Sequence, residues 1–536
     1  MRHLLLSTLL AAGLAGAAFG ANVAPGDKLA DSQTFAFWLL DAVATLDPQM
    51  IESTDDSDIA RQLFEGLYVE SDAGDLVPAG ALDYSLSDDK LTYTFHLRPE
   101  SKWSNGDPVT AADYVYAWQR LADPATASSY AWYLELAQIA NATAVIAGEK
   151  PVSDLGVTAV DDLTLQVTLS QPLPYFVKMT VHSALLPVHR ATIEAFGAKW
   201  TDPGNLVGNG AFVLTEHKPG EKVVVTRNPL YWDNAHTVIE TGSFLTINDN
   251  SIALTRYDAG ELDTVGIPSG MYPQLKADRP DEAFSAPRAC TYYYLMNMDA
   301  EKGPEALKDV RVRKALSYAV DRNIITDKIL QSGQIPAYTF TPAAMAGFTV
   351  PEVDYATWTQ EERVAKAKEL LAEAGYGPDN PLKLTLNYNT DEGHKKMAVA
   401  VQQFYKAIGV ELTLNNMEWK VHSDIMHERT YELARSAWCG DYNEPSTFLD
   451  LFTSSSGFND MGYVNADYDK LMAESKTMDD PQPNYTAAEL LLAQDMPIIP
   501  VYHYTSSRML KPDVRGYASH NVFGNWYLKD IYKVAP

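Results

Sequence analysis

Residues 431–445 read YELARSAWCGDYNEP, a stretch that places a cation, an indole, a cysteine and an anion within seven positions. Its middle part, residues 435–439, is predicted to form a short extended run. Side chains in an extended run point alternately to opposite faces. The stretch therefore presents two faces, with Arg435, Ala437 and Cys439 on one and Ser436 and Trp438 on the other.

The end of the same stretch is predicted to turn. Gly440 frees the backbone, and residues 441–445 contain the Asp, Asn and Pro that favour turns. A strand end that carries Arg435 and is followed by Asp441 could hold a zwitterion, because the carboxylate takes the ligand's ammonium and the guanidinium takes its carboxylate. The alternative is an intramolecular ion pair between Arg435 and Asp441.

The length and charge of the chain limit the classes of protein to which it can belong. With 536 residues it is too long for one compact core, which indicates two or three domains. Its hydrophobic content of 46% and charged content of 21% are those of an ordinary globular protein. The formal net charge of -28 argues against nucleic acid and anionic membranes as partners.

Residues 1–20 are predicted to be a signal peptide. Arg2 gives a basic start, residues 4–10 are apolar, and small residues stand at Ala18 and Gly20, the two positions that determine cleavage. We expect cleavage after Gly20 and, because no cysteine stands at that junction, no lipid anchor. No other stretch reaches about 18 apolar residues, so the mature protein is expected to be exported and soluble.

The chain has two cysteines, Cys290 and Cys439. In an exported protein such a pair favours a disulfide over a metal site. Their separation of 149 residues resembles no zinc pattern. The sequence therefore predicts a disulfide between them.

Apolar periodicity and capping signals predict the local structure. Strands are expected at residues 91–97, 163–169, 382–388 and 410–414, and a hairpin turn at residues 218–221. Capping-box spacing predicts helices that start at Thr110 and Thr359. Further helices are expected from Asp309 to about Leu330, at 394–408, and around Ile59 and Leu63 with an end at Gly66. The strand–helix–strand order of residues 382–414 indicates an α/β domain.

The sequence contains none of the common catalytic signatures. It lacks G-x-S-x-G, G-x-x-x-x-G-K, H-E-x-x-H and G-x-G-x-x-G. A pair of carboxylates at glycosidase spacing stays possible, because sequence alone does not give their separation. No His, Cys and Met cluster at ligand spacing favours nickel or haem, so neither a metal nor another cofactor is expected.

Eight short segments, in chain order, carry a resemblance to a known family. They are Leu46–Pro48, Leu63–Leu67, Tyr93–Arg98, Trp103–Gly106, Gly208–Phe212, Arg227–Trp232, Asp309–Leu316 and Trp438–Pro445. In this order the chain resembles the periplasmic oligopeptide-binding proteins of ABC peptide importers, over nearly all of the mature sequence. The residues after Cys290 and the Trp438-Cys439 pair are similar to the sequences of the oligopeptide branch of this family, which includes murein-tripeptide binders.

The resemblance implies an α/β, two-lobed periplasmic-binding-protein fold with an extra inserted domain. Domain I would be discontinuous and consist of residues 21–65, 190–289 and 506–536. Domain II would be the inserted domain, residues 66–189, and domain III the C-terminal lobe, residues 290–505. Two strands would hinge the lobes, which close on the ligand. The family binds the main chain of a peptide as an added strand, so that its roomy pockets accept any side chain.

The resemblance also implies a role for individual residues. Asp441 matches the carboxylate that meets the peptide ammonium, and Arg435 and His394 match cations that meet peptide carboxylates. Two segments match those that pair with the peptide backbone: Glu52, Ser53 and Thr54 on one side and Ala437, Trp438 and Cys439 on the other. The walls of the side-chain pockets are matched by Tyr130, Tyr293, Trp419 and Tyr504. The sequence departs from the pattern at Leu330, where some relatives have a lysine, and at Arg288, where an aromatic residue is expected.

Two functions follow as hypotheses. The first is an extracytoplasmic receptor, not an enzyme, that captures short peptides and delivers them to the membrane permease of an ABC importer, acting as a monomer in the periplasm. The second is an exported hydrolase that acts on peptide-like zwitterions. Recovery of an intact peptide after long incubation would distinguish them.

Overall fold

A computed structural model gives the structure of residues 21–478 and 480–535. The predicted signal peptide, residues 1–20, lies outside the described residues. None of the helices in the described residues combines the length and apolar character that crossing a membrane requires.

The strands are short except for two near the middle of the main sheet. They are β1 Thr34–Leu39, β2 Tyr68–Glu70, β3 Leu76–Pro78, β4 Ala81–Leu86, β5 Thr92–Leu97, β6 Val157–Asp161, β7 Thr164–Thr168, β8 Phe212–Lys218, β9 Lys222–Arg227, β10 Thr241–Thr246, β11 Thr264–Gly266, β12 Ala283–Met296, β13 Ile335–Pro336, β14 Leu382–Asn389, β15 Val410–Met417, β16 Leu433–Cys439, β17 Ile498–Leu510, β18 Val514–Arg515 and β19 Tyr532–Lys533.

The helices pack on both halves of this sheet and in the inserted segment. They are α1 Thr54–Leu63, α2 Ala111–Ala122, α3 Trp132–Leu136, α4 Ala142–Ile146, α5 Phe176–Met179, α6 Arg190–Phe196, α7 Asn250–Asp258, α8 Tyr272–Asp278, α9 Glu305–Lys308, α10 Val310–Ala319, α11 Arg322–Ile324, α12 Gln360–Glu373, α13 Glu392–Ala407, α14 Trp419–His427, α15 Ser446–Leu449, α16 Ala466–Ser475 and α17 Gln482–Asp495.

The largest sheet of the described residues is mixed. Its order is β15-β14-β16-β12-β17-β11-β1-β10-β9-β8, and β13 pairs with β17 outside this path. Strand β14 is parallel to β15 and β16, and β1 is parallel to β10 and β11, whereas the remaining pairs are antiparallel. The mixture of parallel pairs with connecting helices is the predicted α/β class.

Strands β12 and β17 connect the two halves of the sheet. They pair with each other from Ala283↔Met509 to Leu295↔Ile498, with shifts of register between Pro287 and Thr291 and between Tyr292 and Tyr293. Strand β17 continues to β11 on one side, and β12 continues to β16 on the other. Each half contains an apolar cluster of its own, and a larger cluster extends through the inserted segment into both halves. The two-lobed architecture with two connecting strands is confirmed.

Residues 66–189 contain a sheet of their own. Strands β4, β5, β7 and β6 form an antiparallel sheet in that order, and α2 packs beside β6 and β7. This arrangement is consistent with an inserted domain, while its boundaries and those of domains I and III stay predictions.

Four of the eight segments that carry the family resemblance meet around the buried Glu65. Its carboxylate accepts hydrogen bonds from Tyr231 Oη and Trp232 Nε1, the latter at 2.7 Å. Its backbone exchanges two hydrogen bonds with the side-chain amide of Asn209. The guanidinium carbon of Arg98 lies 3.7 Å from the centroid of the Trp232 ring. Segments far apart in sequence therefore share one structural junction.

The glycines beside Asn209 are required by this junction. A Cβ at Gly208 would lie 2.1 Å from the carbonyl oxygen of Leu63, and a Cβ at Gly210 would lie 2.6 Å from a backbone carbon of the same residue. Contacts below about 3 Å to backbone cannot be relieved by side-chain movement, so the chain needs glycine where it crosses the end of α1.

Most of the predicted local structure is confirmed, but two helix ends were predicted wrongly. Both capping boxes are present, at Thr110 and Thr359. Helix α1 ends at Leu63 instead of Gly66, since Phe64 is already extended. The helix predicted to reach Leu330 is interrupted after α10, because Val320 and Asp321 are extended and Asp321 caps the next helical segment, α11, with its side chain.

The predicted disulfide is confirmed. Cys290 on β12 lies directly opposite Cys439 on β16, with 4.0 Å between their Cα atoms. The bond ties together two strands that are already neighbours in the sheet and that both line the site described next.

Candidate functional site

A cavity of about 510 Å³ lies where the two lobes and the inserted segment meet. Its walls come from helix α1 and the residues before it, from the central strands β12 and β17, and from β16 with the turn that follows. The cavity brings together every residue predicted for the site: Glu52, Ser53, Thr54, Tyr130, Cys290, Tyr293, His394, Trp419, Arg435, Ala437, Trp438, Cys439, Asp441 and Tyr504. Their roles as ligand contacts stay predictions.

The turn after β16 places the carboxylate of Asp441 in the cavity wall. Its backbone N–H donates to Thr447 Oγ1 at 2.9 Å, and its side chain is only 10% exposed. Oδ1 lies 3.5 Å from His182 Nε2. Oδ2 is buried without a hydrogen-bond partner among the described residues. Burial raises the pKa of Asp441 well above its usual value, with Arg61 opposing the shift.

The neighbouring histidine cannot neutralise Asp441. Burial lowers the pKa of His182 to about 3, and the positive charge of Arg61 contributes to the shift. The ring of Tyr130 stacks on the neutral imidazole, with 4.8 Å between the ring centroids. Among the described residues, Asp441 therefore has no charged cation at ion-pair distance. Its raised pKa favours the protonated form in the ligand-free protein, and an incoming ammonium would restore the carboxylate by supplying the countercharge.

Arg435 does not pair with Asp441, so the intramolecular ion pair considered from the sequence is not formed. Its Nη1 donates to Asn389 Oδ1 at 3.2 Å and its Nη2 to Tyr504 Oη at 2.9 Å. The guanidinium carbon lies 4.9 Å from the centroid of the Tyr292 ring. No carboxylate among the described residues lies within ion-pair distance of this guanidinium, which leaves its charge available to a ligand carboxylate.

His394 lies beside Arg435 at the start of helix α13. Its backbone N–H donates to the capping carboxylate of Asp391 at 2.8 Å, and its Nδ1 lies 3.5 Å from the same oxygen. Burial, together with the charge of Arg435, lowers the pKa of His394 well below its usual value. The imidazole is therefore neutral at pH 7, and it would meet a ligand carboxylate as a neutral N–H donor unless the ligand's charge restores its proton.

One edge of β16 faces the cavity without a strand partner. On one side the strand pairs along its full length with β12, from Met296↔Leu433 to Cys290↔Cys439. On the other side, among the described residues, β14 pairs only with Leu433 and Ala434. This edge, from Arg435 to Cys439, lines the cavity. The Arg435 carbonyl accepts a hydrogen bond from His422 Nε2 at 2.7 Å, and the open edge that follows it has the geometry that an extended peptide needs in order to add as a strand.

A charged network closes the opposite wall. The carboxylate of Glu52 accepts a hydrogen bond from Ser423 at 3.1 Å and lies 3.6 Å from His427 Nε2, whose Nδ1 is 2.9 Å from Asp460. Burial opposes both charges, but the hydrogen bonds and mutual attraction lower the pKa of Glu52 to about 2 and raise that of His427 to about 10. This wall is therefore ionised at neutral pH.

Aromatic rings complete the walls, and some of them were not foreseen from the sequence. The Phe458 ring packs against Tyr130 and Trp438 at centroid distances of 5.2 and 5.3 Å. His182, His427 and Phe458 were missed because they come from segments without a recognisable motif. Among the described residues, no group of His, Cys, Asp and Glu is arranged to hold a metal ion.

Three carboxyl groups near the start of α1 hold protons more tightly than free carboxyls do. Burial raises the pKa of Asp41 to about 6 and those of Asp55 and Asp56 to about 7. Asp55 Oδ2 nevertheless accepts backbone N–H groups from Leu40 and Asp41, at 3.2 and 3.3 Å. At neutral pH, ionisation of these buried carboxyl groups therefore destabilises the folded state.

Asp55→Asn is expected to stabilise the ligand-free protein at pH 8 and to leave its stability unchanged near pH 4. A folded-state pKa raised from 3.8 to about 7 contributes stability below pH 3.8 that is lost as the pH rises through 7. Asparagine removes this loss and can still accept both backbone hydrogen bonds. Thermal unfolding of both proteins between pH 4 and 8 measures the effect, with the exposed Asp88→Asn as control; parallel curves for wild type and Asp55→Asn would contradict it.

Comparison with known proteins identifies the family. Residues 75–460 match the family described as bacterial extracellular solute-binding proteins, family 5 middle. The chain is 44% identical to the periplasmic oligopeptide-binding protein OppA of Salmonella typhimurium, over 99% of both proteins.

The structures show the same relationship. The murein tripeptide binding protein MppA of Escherichia coli superposes with a TM-score of 0.92 at 43% identity, over 95% of this chain and all of that one. A structure of MppA in its unliganded open form superposes with a TM-score of 0.69 at 44% identity, over 96% of this chain and 99% of that one. The match therefore depends on the arrangement of the lobes. On the basis of sequence and fold, the chain belongs to family 5 of the bacterial extracellular solute-binding proteins.

Proposed function

We propose that this protein is a periplasmic receptor that captures short peptides between its lobes and delivers them to the membrane permease of an ABC importer. Asp441 would bind the peptide ammonium, and Arg435 with His394 would bind its carboxylate. The main chain of the peptide would lie between Glu52–Thr54 and Ala437–Cys439, with side chains directed toward Tyr130, Tyr293, Trp419 and Tyr504.

The observation that carries the proposal is the unpartnered Oδ2 of Asp441 at the end of the open edge of β16. Main-chain pairing alone cannot fix the register of a peptide, because every residue offers the same donors and acceptors. A charged group at one end must set it. An ammonium has three N–H donors, and a buried carboxylate without other partners satisfies it better than a neutral carbonyl does.

The names of the relatives support the class of ligand and the compartment. The OppA and MppA proteins are named for oligopeptide and murein-peptide binding in the periplasm. We extend these properties to this chain, together with transfer to an importer and a monomeric state. No observation on the described residues favours the hydrolase alternative, and we propose that the protein does not alter its ligand.

Peptide binding is expected to close the lobes. The structure superposes with one MppA structure at a TM-score of 0.92 and with the unliganded open form at 0.69, as expected if it represents a closed arrangement. Addition of saturating tripeptide should reduce the radius of gyration in X-ray scattering. It should also raise the melting temperature with ligand concentration, because the folded state alone binds.

Two outcomes would count against these statements. Unchanged scattering and melting with several saturating peptides would contradict peptide-driven closure. Mass spectrometry of the peptide after long incubation separates the two functions, since a receptor returns it intact and a hydrolase returns fragments.

Native mass spectrometry of the purified protein, with sequencing of any peptide that remains bound, would identify the natural ligand.

A further inference from the structure

A small side pocket of about 80 Å³ adjoins the main cavity. Most of its lining residues also line the main cavity, so a ligand group could enter it from there. Three of those residues are arginines: Arg61 on α1, Arg288 on β12 and Arg508 on β17. We refer to this space as the arginine pocket.

The cations of the arginine pocket outnumber the anions that face them. Asp58 pairs with Arg61 at 3.0 Å, and no ion pair to Arg288 or Arg508 is formed within the described residues. The other carboxyl group in the lining is Asp55, whose pKa burial raises to about 7. The pocket therefore keeps an excess of positive charge in a chain whose formal net charge is -28.

The guanidinium groups also retain unused donors. Arg288 uses Nη2, which donates to the Phe523 carbonyl at 2.6 Å, and Arg508 uses Nε, which donates to Thr264 Oγ1 at 3.2 Å. Arg288 Nε and Arg508 Nη2 are buried without partners among the described residues. Neither Arg288 Nη1 nor Arg508 Nη1 donates a hydrogen bond to a described group. Buried charged donors without acceptors are costly, and a carboxylate is the acceptor that matches a guanidinium best.

Packing holds both arginines in place before any ligand arrives. The guanidinium carbon of Arg508 lies 4.5 Å from the centroid of the Phe37 ring. That of Arg288 lies so close to Gly524 that a Cβ there would be 2.4 Å away. Because the donors are already positioned, little side-chain entropy is lost when they bind an anion.

We propose that the arginine pocket binds a carboxylate side chain of the peptide, so that this receptor prefers a ligand with Asp or Glu at one position. The inference rests on the proposed function and adds a specificity to it. The pocket volume corresponds to about two to three water molecules, which suits a carboxylate and one methylene. The peptide's terminal carboxylate is the other source of the same group, but Arg435 and His394 are already assigned to it.

The test compares Ala-Ala-Ala with tripeptides that carry Glu or Gln at each position in turn, by calorimetry. One Glu peptide is expected to bind wild type about tenfold or more tightly than its Gln counterpart, a typical effect for a charge-assisted contact. Arg288→Met should abolish this preference, so that each Glu peptide binds the variant no more tightly than its Gln counterpart. Arg227→Met, which changes a half-exposed arginine outside the cavity, should keep the preference.

Each outcome decides a separate point. If Ala-Ala-Ala binds but no Glu peptide exceeds its Gln counterpart, the arginine pocket is structural and the proposed function stands. If no peptide binds a folded protein, the proposed function fails. An affinity loss on C-terminal amidation that is much smaller in Arg288→Met than in wild type assigns the pocket to the terminal carboxylate and overturns the side-chain assignment. A preference for Glu that survives in Arg288→Met also overturns it. The wild-type comparison needs no variant to fold.

Discussion

Asp441→Asn is expected to weaken the binding of free tripeptides by about 2–5 kcal/mol, the usual loss when one partner of a buried charge pair is removed. Asparagine keeps the shape of the side chain but cannot balance an ammonium. Among the described residues, Asp441 Oδ2 has no hydrogen-bond partner and the neighbouring His182 is neutral, so the ammonium would meet a carboxylate that no protein cation already pairs with. Calorimetry with wild type and variant measures the loss.

Acetylated peptides make the assignment specific. N-acetylation removes the charge from the ligand, so acetylated peptides should bind wild type weakly and lose little more in Asp441→Asn. Asp450→Asn serves as the matched control, because Asp450 is also buried with a raised pKa but lies outside the cavity; it should leave peptide affinity unchanged. Equal affinity of wild type for free and acetylated peptides would show that Asp441 is not the anchor.

Removal of the disulfide is expected to give the largest loss of stability. The double variant Cys290→Ser and Cys439→Ser opens a loop of 149 residues, and the chain-entropy relation gives a loss of about 4–5 kcal/mol in the free energy of unfolding. Denaturant unfolding of the variant and of wild type, with and without reductant, measures it. Reduced wild type should match the variant. A difference below about 1 kcal/mol would contradict the prediction and would mean that residual structure already restricts the unfolded chain without the disulfide.

The sequence predicted those features that are encoded locally or by a resemblance. The capping boxes at Thr110 and Thr359 depend on residues three positions apart, and both are present. The cavity residues were located because motifs around Glu52 and Trp438 are similar to those of a known family. Local patterns could not show that Val320 and Asp321 interrupt the predicted helix, because the extended backbone there depends on tertiary packing around the buried Arg322.

The partners of the site could not be predicted for the same reason. His182 reaches Asp441 across 259 positions of the chain, and His427 reaches Glu52 across 375. Nothing in the sequence near either histidine distinguishes it from a surface residue. Their ionisation depends on burial and on neighbours that only the folded chain brings together.

The order of strands in the main sheet also limits when the protein can fold during its synthesis. Strand β17, among the last to be made, lies between β12 and β11 near the centre of the sheet, and β1, the first, pairs with β10 more than 200 positions later. A growing chain therefore cannot complete the sheet before its final segment emerges from the ribosome. Such distant pairings also fold slowly, so the full-length chain is expected to stay unfolded for longer after synthesis than a chain of the same length with local pairings.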